Sequence, residues 1–253
     1  MNPLKTIVIS GRILLVSACL TTMLSCKEDP SKRINDENKT EIETQDKAQT
    51  PEKAEPEDQI GGVAQFESGI KAAESNNMPL AFENFMEAAK EGHEYAQFNI
   101  GLMYEQGLGV QKNLEEAFSW YSKSAAQENS AAQFNLGVCY ENGFGTAVDF
   151  DKANEWYRKA SIQGDGLAVG NLGMLYIRGD GVKENMVAGV SLLIMSTTMD
   201  PSPENQAKKN ISSIRGLTPE MIAEAQTLSS EMSTTENFLV PLDQYLKTSE
   251  NKL

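Results

Sequence analysis

The residues able to do chemistry are few. The chain has one histidine, His93, and three cysteines, Cys19, Cys26 and Cys139. One imidazole cannot build a cage of histidine ligands around a metal, nor a dyad of two histidines. Cys19 and Cys26 fall in the N-terminal leader, which leaves Cys139 alone in the body of the chain and excludes a disulfide framework. Cys139 stands at an apolar position of a helical pattern, the setting of a buried structural thiol. Gly-x-Gly occurs at Gly107/Gly109, Gly143/Gly145 and Gly179/Gly181. A phosphate-binding loop follows a strand and carries a third glycine, whereas each of these pairs follows a helical segment and lacks it, so they read as turns. The acidic groups Glu115, Glu116, Asp149, Asp151 and Glu155 gather at helix starts, where the positive end of the helix dipole favours them. No nucleophile–base pair stands out, and the sequence assigns no catalytic residue, metal site or cofactor. What remains is recognition: Asn99, Asn135 and Asn171 recur at a constant interval of 36 residues.

The elements that must position these groups are helical. Of 253 residues, 40% are hydrophobic but only 7% aromatic, the balance of an alanine-rich helical core rather than a sandwich or barrel. The formal charge of −14 repels phosphate backbones and excludes nucleic acid as a partner, leaving basic proteins or polymers open.

Residues 1–25 have the form of a secretory leader, with Lys5 and Arg12 ahead of an apolar run from Ile13 to Leu24. That run is too short to span a bilayer as a permanent helix. Residues 26–60 are rich in Glu, Lys, Pro and Thr and almost free of large apolar groups, so a disordered charged tether is expected. From residue 61 to 232 the composition is that of a folded domain, and 233–253 read as a polar tail with a small apolar patch at Phe238, Leu239 and Val240.

Three segments of the domain align without a gap, beginning at Ala96, Ala132 and Ala168. Each has Ala, then Ile or Leu, Gly and Tyr at helical spacing (Ala96, Ile100, Gly101, Tyr104 in the first copy), then the Gly-x-Gly turn. The first two continue into a second helix with Ala117, Trp120, Tyr121 and Ala153, Trp156, Tyr157; the third has Gly189, Leu192 and Leu193 there. Small residues let a second helix approach closely, and a hairpin of this kind buries its apolar face only by stacking on neighbours. The spacing predicts repeats at 94–129, 130–165 and 166–200, preceded by a degenerate cap hairpin at 62–92 whose turn is shorter. Capping helices are expected over 203–232, from the N-cap signals Ser202-Pro203-Glu204 and Thr218-Pro219-Glu220.

These residues resemble the Sel-one-like repeat family of the tetratricopeptide superfamily. The family pattern runs A-x-x-x-L-G-x-x-Y-x-x-G-x-G-V and then A-x-x-W-Y-x-K-A-A, with Thr146 here in place of the turn Val. The resemblance implies an all-α fold, a right-handed α/α solenoid of stacked helix hairpins. It also implies a concave groove lined by the first helices, in which Asn99, Asn135 and Asn171 would meet a peptide backbone or terminal carboxylate. The other reading of these amides is that they bond within their own repeat. Neighbouring groove candidates are Phe98, Leu102 and Glu105, then Phe134, Val138 and Glu141, then Met174 and Arg178. Trp120 and Trp156 fall at hairpin packing positions. A cysteine-stapled branch of the family is linked to penicillin binding, but here Gln97, Gln133, Val169, Ala125 and Ser161 hold the staple positions.

The leader ends Met23-Leu24-Ser25-Cys26, which resembles the lipobox of bacterial lipoproteins, with Met where Leu is usual. Cys26 is therefore the expected lipidated residue, and Cys19, after Val16-Ser17-Ala18, is the alternative. Glu28-Asp29 behind it resembles a surface-export signal of some outer-membrane lipoproteins. Together these features predict a monomeric, non-enzymatic scaffold, lipid-anchored in the cell envelope at the outer membrane and binding a protein or peptide in its groove. The alternatives are a regulator of an envelope enzyme or sensor, or a hydrolase of cell-wall material.

Overall fold

The computed structural model describes residues 62–250, which form eleven helices and no strand. The first pair is α1 (Val63–Glu74) with α2 (Met78–Lys90), followed by α3 (Glu94–Gln106) with α4 (Leu114–Ala125). Next come α5 (Ser130–Asn142) with α6 (Phe150–Ile162) and α7 (Gly166–Arg178) with α8 (Met186–Met199). The chain closes with α9 (Ala207–Ser213), α10 (Pro219–Ser233) and α11 (Leu239–Glu250). Each hairpin packs on the next in sequence order, so the fold is an α/α solenoid.

Capping chemistry keeps the step constant. The side chains of Asn113, Asp149 and Asn185 accept from the backbone N–H three residues on and start the second helices. His93, Asn129 and Asp165 do the same for the first helices of the three repeats. Each first helix ends on a left-handed glycine, Gly107, Gly143 or Gly179. The second glycine of each turn has a different task. A Cβ on Gly109, Gly145 or Gly181 would run into the backbone of Met78, Leu114 or Phe150, at the start of the preceding hairpin's second helix. These glycines let successive hairpins touch backbone to backbone.

Inside each hairpin an aromatic ring lies flat on a helical glycine: Phe85 on Gly69, Tyr121 on Gly101 and Tyr157 on Gly137. All three rings are buried, as are Ala81, Ala117 and Ala153 beside them. In α8 the corresponding space against Gly173 is filled by Leu192 and Leu193. Glutamine amides tie each hairpin to the one before it: Gln97 Nε2 donates to Ala89 O at 3.2 Å and Gln133 Nε2 to Ala125 O at 3.4 Å, while Gln127 and Gln163 donate to Gln97 and Gln133 within their own repeats at 2.7 and 2.8 Å. Gln97 and Gln133 thus carry buried hydrogen bonds to the preceding hairpin.

The C-terminal part departs from the expectation in two places. Ser202-Pro203-Glu204 does not start a helix; α9 begins at Ala207, and Asn205 organises the link. Its Oδ1 accepts from Ala207 N, while its Nδ2 donates to Ser196 O and Asp200 O. These bonds hold residues 200–206 as a tight turn and move the helix start onward. The segment read as a polar tail contains α11, with Phe238, Leu239 and Leu242 buried with Leu228 and Met232 of α10 in the core shared by the second and third repeats. Phe238, Leu242, Tyr245 and Leu246 recur at helical spacing, and Arg158 Nη2 holds both Asp243 carboxylate oxygens at 2.7 and 2.8 Å.

Candidate functional site

The first helices α3, α5 and α7 are where a groove was expected, and they are more deeply enclosed than a one-sided groove helix. Every residue from Ala96 to Met103 of α3 is buried, because its own partner α4 packs on one side and α2 of the preceding hairpin on the other. Asn99, Asn135, Phe98, Leu102 and Phe134 are therefore core residues rather than contact residues. Phe98 packs on Tyr121 with ring centroids 6.0 Å apart, and Phe134 on Tyr157 at 5.9 Å. Small residues at every contact bring the hairpins close enough to close over these side chains. Phe134 also walls a cavity of about 220 Å³, completed by Leu167, Gly170 and Asn171 with the turn before α9. Gly170 stands where the first two repeats have Phe98 and Phe134.

Of the three amides, Asn171 bonds between repeats. Asn171 Nδ2 donates to Tyr157 Oη at 3.1 Å, fourteen positions back in the preceding repeat. Tyr157 Oη donates to Glu141 Oε2 at 2.6 Å, and Arg178 Nη2 reaches Glu141 Oε1 at 2.6 Å while its Nε reaches Asp180 Oδ2 at 2.6 Å. One repeat earlier Tyr121 Oη donates to Glu105 Oε2 at 2.5 Å. Burial first, and then the Glu141 charge, holds the Tyr157 phenol far above its usual range, so it stays a proton donor. The tyrosines carry this pattern, which motif matching passed over. Both Tyr–Glu pairs are sixteen residues apart in sequence and lie one repeat step from each other.

At the N-terminal edge the Tyr–Glu pattern breaks. Asn99 is fully buried, and neither its Nδ2 nor its Oδ1 has a hydrogen-bond partner among the described residues. The residue fourteen positions back is Phe85, which has Tyr121's place on the glycine but no hydroxyl. The residue corresponding to Glu105 is Ala73.

The remaining reactive groups are held in structural roles. Burial first, then the nearby Glu105 charge, pushes the Cys139 thiol up to about 12. His93 Nδ1 accepts from Ala96 N, its ring stacks on Phe66 at 4.3 Å, and burial lowers its pKa. Trp120 is buried in the core and Trp156 packs at its edge, each with a lysine ammonium over the ring, Lys123 at 3.7 Å and Lys159 at 4.1 Å. No group of His, Cys, Asp and Glu suited to a metal occurs among the described residues, and no helix there is long and apolar enough to cross a membrane. Cys19 and Cys26 lie outside the described residues.

Residues of the inner helices that keep open surface include Glu105 on α3, Val138, Glu141 and Asn142 on α5, and Asn171, Met174 and Arg178 on α7. A candidate contact face thus runs along the C-terminal halves of these helices, apolar at Val138 and Met174 and carrying two half-buried carboxylates. It can bind side chains and place charge; it holds no activated nucleophile.

Comparison with known proteins agrees with this construction. Residues 94–129, 130–165 and 167–200 match the Sel1 repeat model. A Sel1 repeat protein from Oxalobacter formigenes is similar, with a TM-score of 0.56 and 27% identity over 70% of this chain and 76% of that one. A protective antigen present in uropathogenic Escherichia coli strains, which displays an SLR fold, shares 27% identity over 75% of this chain and 49% of that one, with a TM-score of 0.45. No curated protein matches. Sel1 repeats generally mediate protein–protein interaction as scaffolds and are typically non-catalytic. The array between the cap hairpin and α9 thus matches the Sel1 repeat model three times in succession.

Proposed function

We propose that this protein is a non-enzymatic scaffold, lipid-anchored in the bacterial cell envelope, that binds a protein or peptide on the inner-helix face of its solenoid. The observation that carries the binding half is the state of that face. The groups that could do chemistry are used up in caps and core, while a continuous strip from Glu105 through Val138 to Met174 and Arg178 keeps open surface. The anchoring half rests on residues 1–26, with Cys26 as the acylated residue and 26–60 as the tether that holds the domain off the outer membrane.

Crosslinking in cells from a photoreactive residue at position 138, which keeps open surface where Asn135 does not, is expected to trap a defined envelope protein. The same residue placed at Leu192, inside the core, is the control. Failure to trap any protein at 138 and at 174 would overturn the binding half. Metabolic lipid labelling tests the anchor: Cys26→Ala abolishes it, and loss with Cys19→Ala instead moves the modified residue to Cys19.

A further inference from the structure

Glu105 and Glu141 have equivalent places and equal phenol partners but unequal neighbours. Glu141 shares its second oxygen with Arg178, which stands at the C-terminus of the next inner helix and is itself steadied by Asp180. One repeat earlier, the place of Arg178 is held by Asn142 and that of Asp180 by Phe144. An asparagine is too short to repeat the arginine's reach, and the Asn142 amide instead donates to Val138 O at 3.0 Å. Among the described residues no cation pairs with Glu105. Its carboxylate is half-buried between α3 and α5, with Oε2 held by Tyr121. Phe144 exposes 39% of its surface, among the highest values for a large apolar residue here.

Resting on the binding face proposed above, we propose that Glu105, Asn142 and Phe144 form a pocket for an arginine side chain of the bound peptide. The guanidinium takes the position that Arg178 takes on Glu141, with a charge-assisted pair to the carboxylate. Phe144 offers its ring where Arg178 finds Asp180, and a planar guanidinium stacks on an aromatic face better than an ammonium does. Asn142 Oδ1 is left to accept a further N–H. The chain thus displays, one repeat on, the ligand chemistry that its first rung lacks. The net charge of −14 draws a basic segment toward this face.

The test is panning of a random heptapeptide display library on the protein, followed by affinity measurement with the enriched peptides. Arginine-bearing peptides are expected, with a loss of about tenfold or more when the arginine becomes citrulline or the protein carries Glu105→Gln. Glutamine still accepts from Tyr121, so the core bond is kept. Asn142→Arg gives a second route, because the new side chain fills the pocket from within and blocks the peptide without removing any core group. Enriched peptides that tolerate citrulline and Glu105→Gln within twofold, yet lose binding with Val138→Glu, overturn the arginine pocket and leave the binding face standing. A library from which nothing is enriched overturns both.

Discussion

The bare amide of Asn99 invites a repair whose size follows from the bond between Asn171 and Tyr157. Phe85→Tyr places a hydroxyl where Tyr157 has the one that receives Asn171 at 3.1 Å. Asn99 is fully buried with two unpartnered groups, each costing about 1–3 kcal/mol as long as it stays unpaired. One hydrogen bond to the new hydroxyl recovers about 1 kcal/mol, so Phe85→Tyr should stabilise the protein although it puts a polar atom into a core position. With Asn99→Leu in place the same hydroxyl has no amide to meet, and Phe85→Tyr should then cost about 1 kcal/mol or more. The double-mutant cycle should therefore return a coupling of about 2 kcal/mol, read by urea unfolding, with a shift of roughly 2–4 °C per kcal/mol in thermal melts. Adding Ala73→Glu supplies the acceptor that Glu105 and Glu141 provide elsewhere and should raise stability further. A coupling below about 0.5 kcal/mol would refute the reasoning: a hydroxyl at position 85 would then not reach Asn99 as Tyr157 reaches Asn171.

Three other outcomes follow from single contacts. Gly145→Ala should destabilise by more than about 2 kcal/mol, since its φ of 70° and the Leu114 backbone both oppose a Cβ. Gly143→Ala, with a similar φ but Val148 Cγ2 at 3.1 Å as its nearest neighbour, should cost about 1 kcal/mol, and urea midpoints separate the two. His93 is kept neutral by burial, so its folded pKa lies below the unfolded value near 6.5. Its stabilising contribution is thus present above that value and lost as pH falls through the folded one. His93→Asn, which keeps the cap as Asn129 does, should remove this part of the slope below about pH 6.5 in thermal melts while losing the stack on Phe66. Leu242→Ala should cost about 2–4 kcal/mol and increase amide exchange across α10 and α11, because the side chain is wholly buried in their shared core. Unchanged exchange there would mean that α11 is not part of the folded array.

The architecture was legible because the period is visible at residues that permit only one kind of neighbour: a helical glycine under a tyrosine, a turn glycine against a carbonyl, an Asx at each second-helix start. The contact face was harder to read, and α3 and α5 show why. Assigning a helix face from sequence needs a polar side and an apolar side, but in α3 Gln97 and Asn99 are buried along with Phe98, Ile100 and Leu102. When a helix is covered on both flanks, its polar residues report hydrogen bonds between repeats rather than solvent, and Asn recurring at each step cannot by itself say which. A consensus search compounds the difficulty, since it weighs what the copies share, and what they share is the fold. Phe85, Asn142, Gly170 and Leu193 are where one copy differs from another, and each alters a contact that another copy makes. Phe85 leaves an amide unpaired, Asn142 leaves a carboxylate without its cation, Gly170 opens a cavity and Leu193 ends the tyrosine series. In an array whose repeated positions are committed to stacking, a partner can be recognised only through such departures. In the proposed pocket Asn142 is the departure that sets the sign of the ligand, because it leaves Glu105 without the cation that Arg178 brings to Glu141.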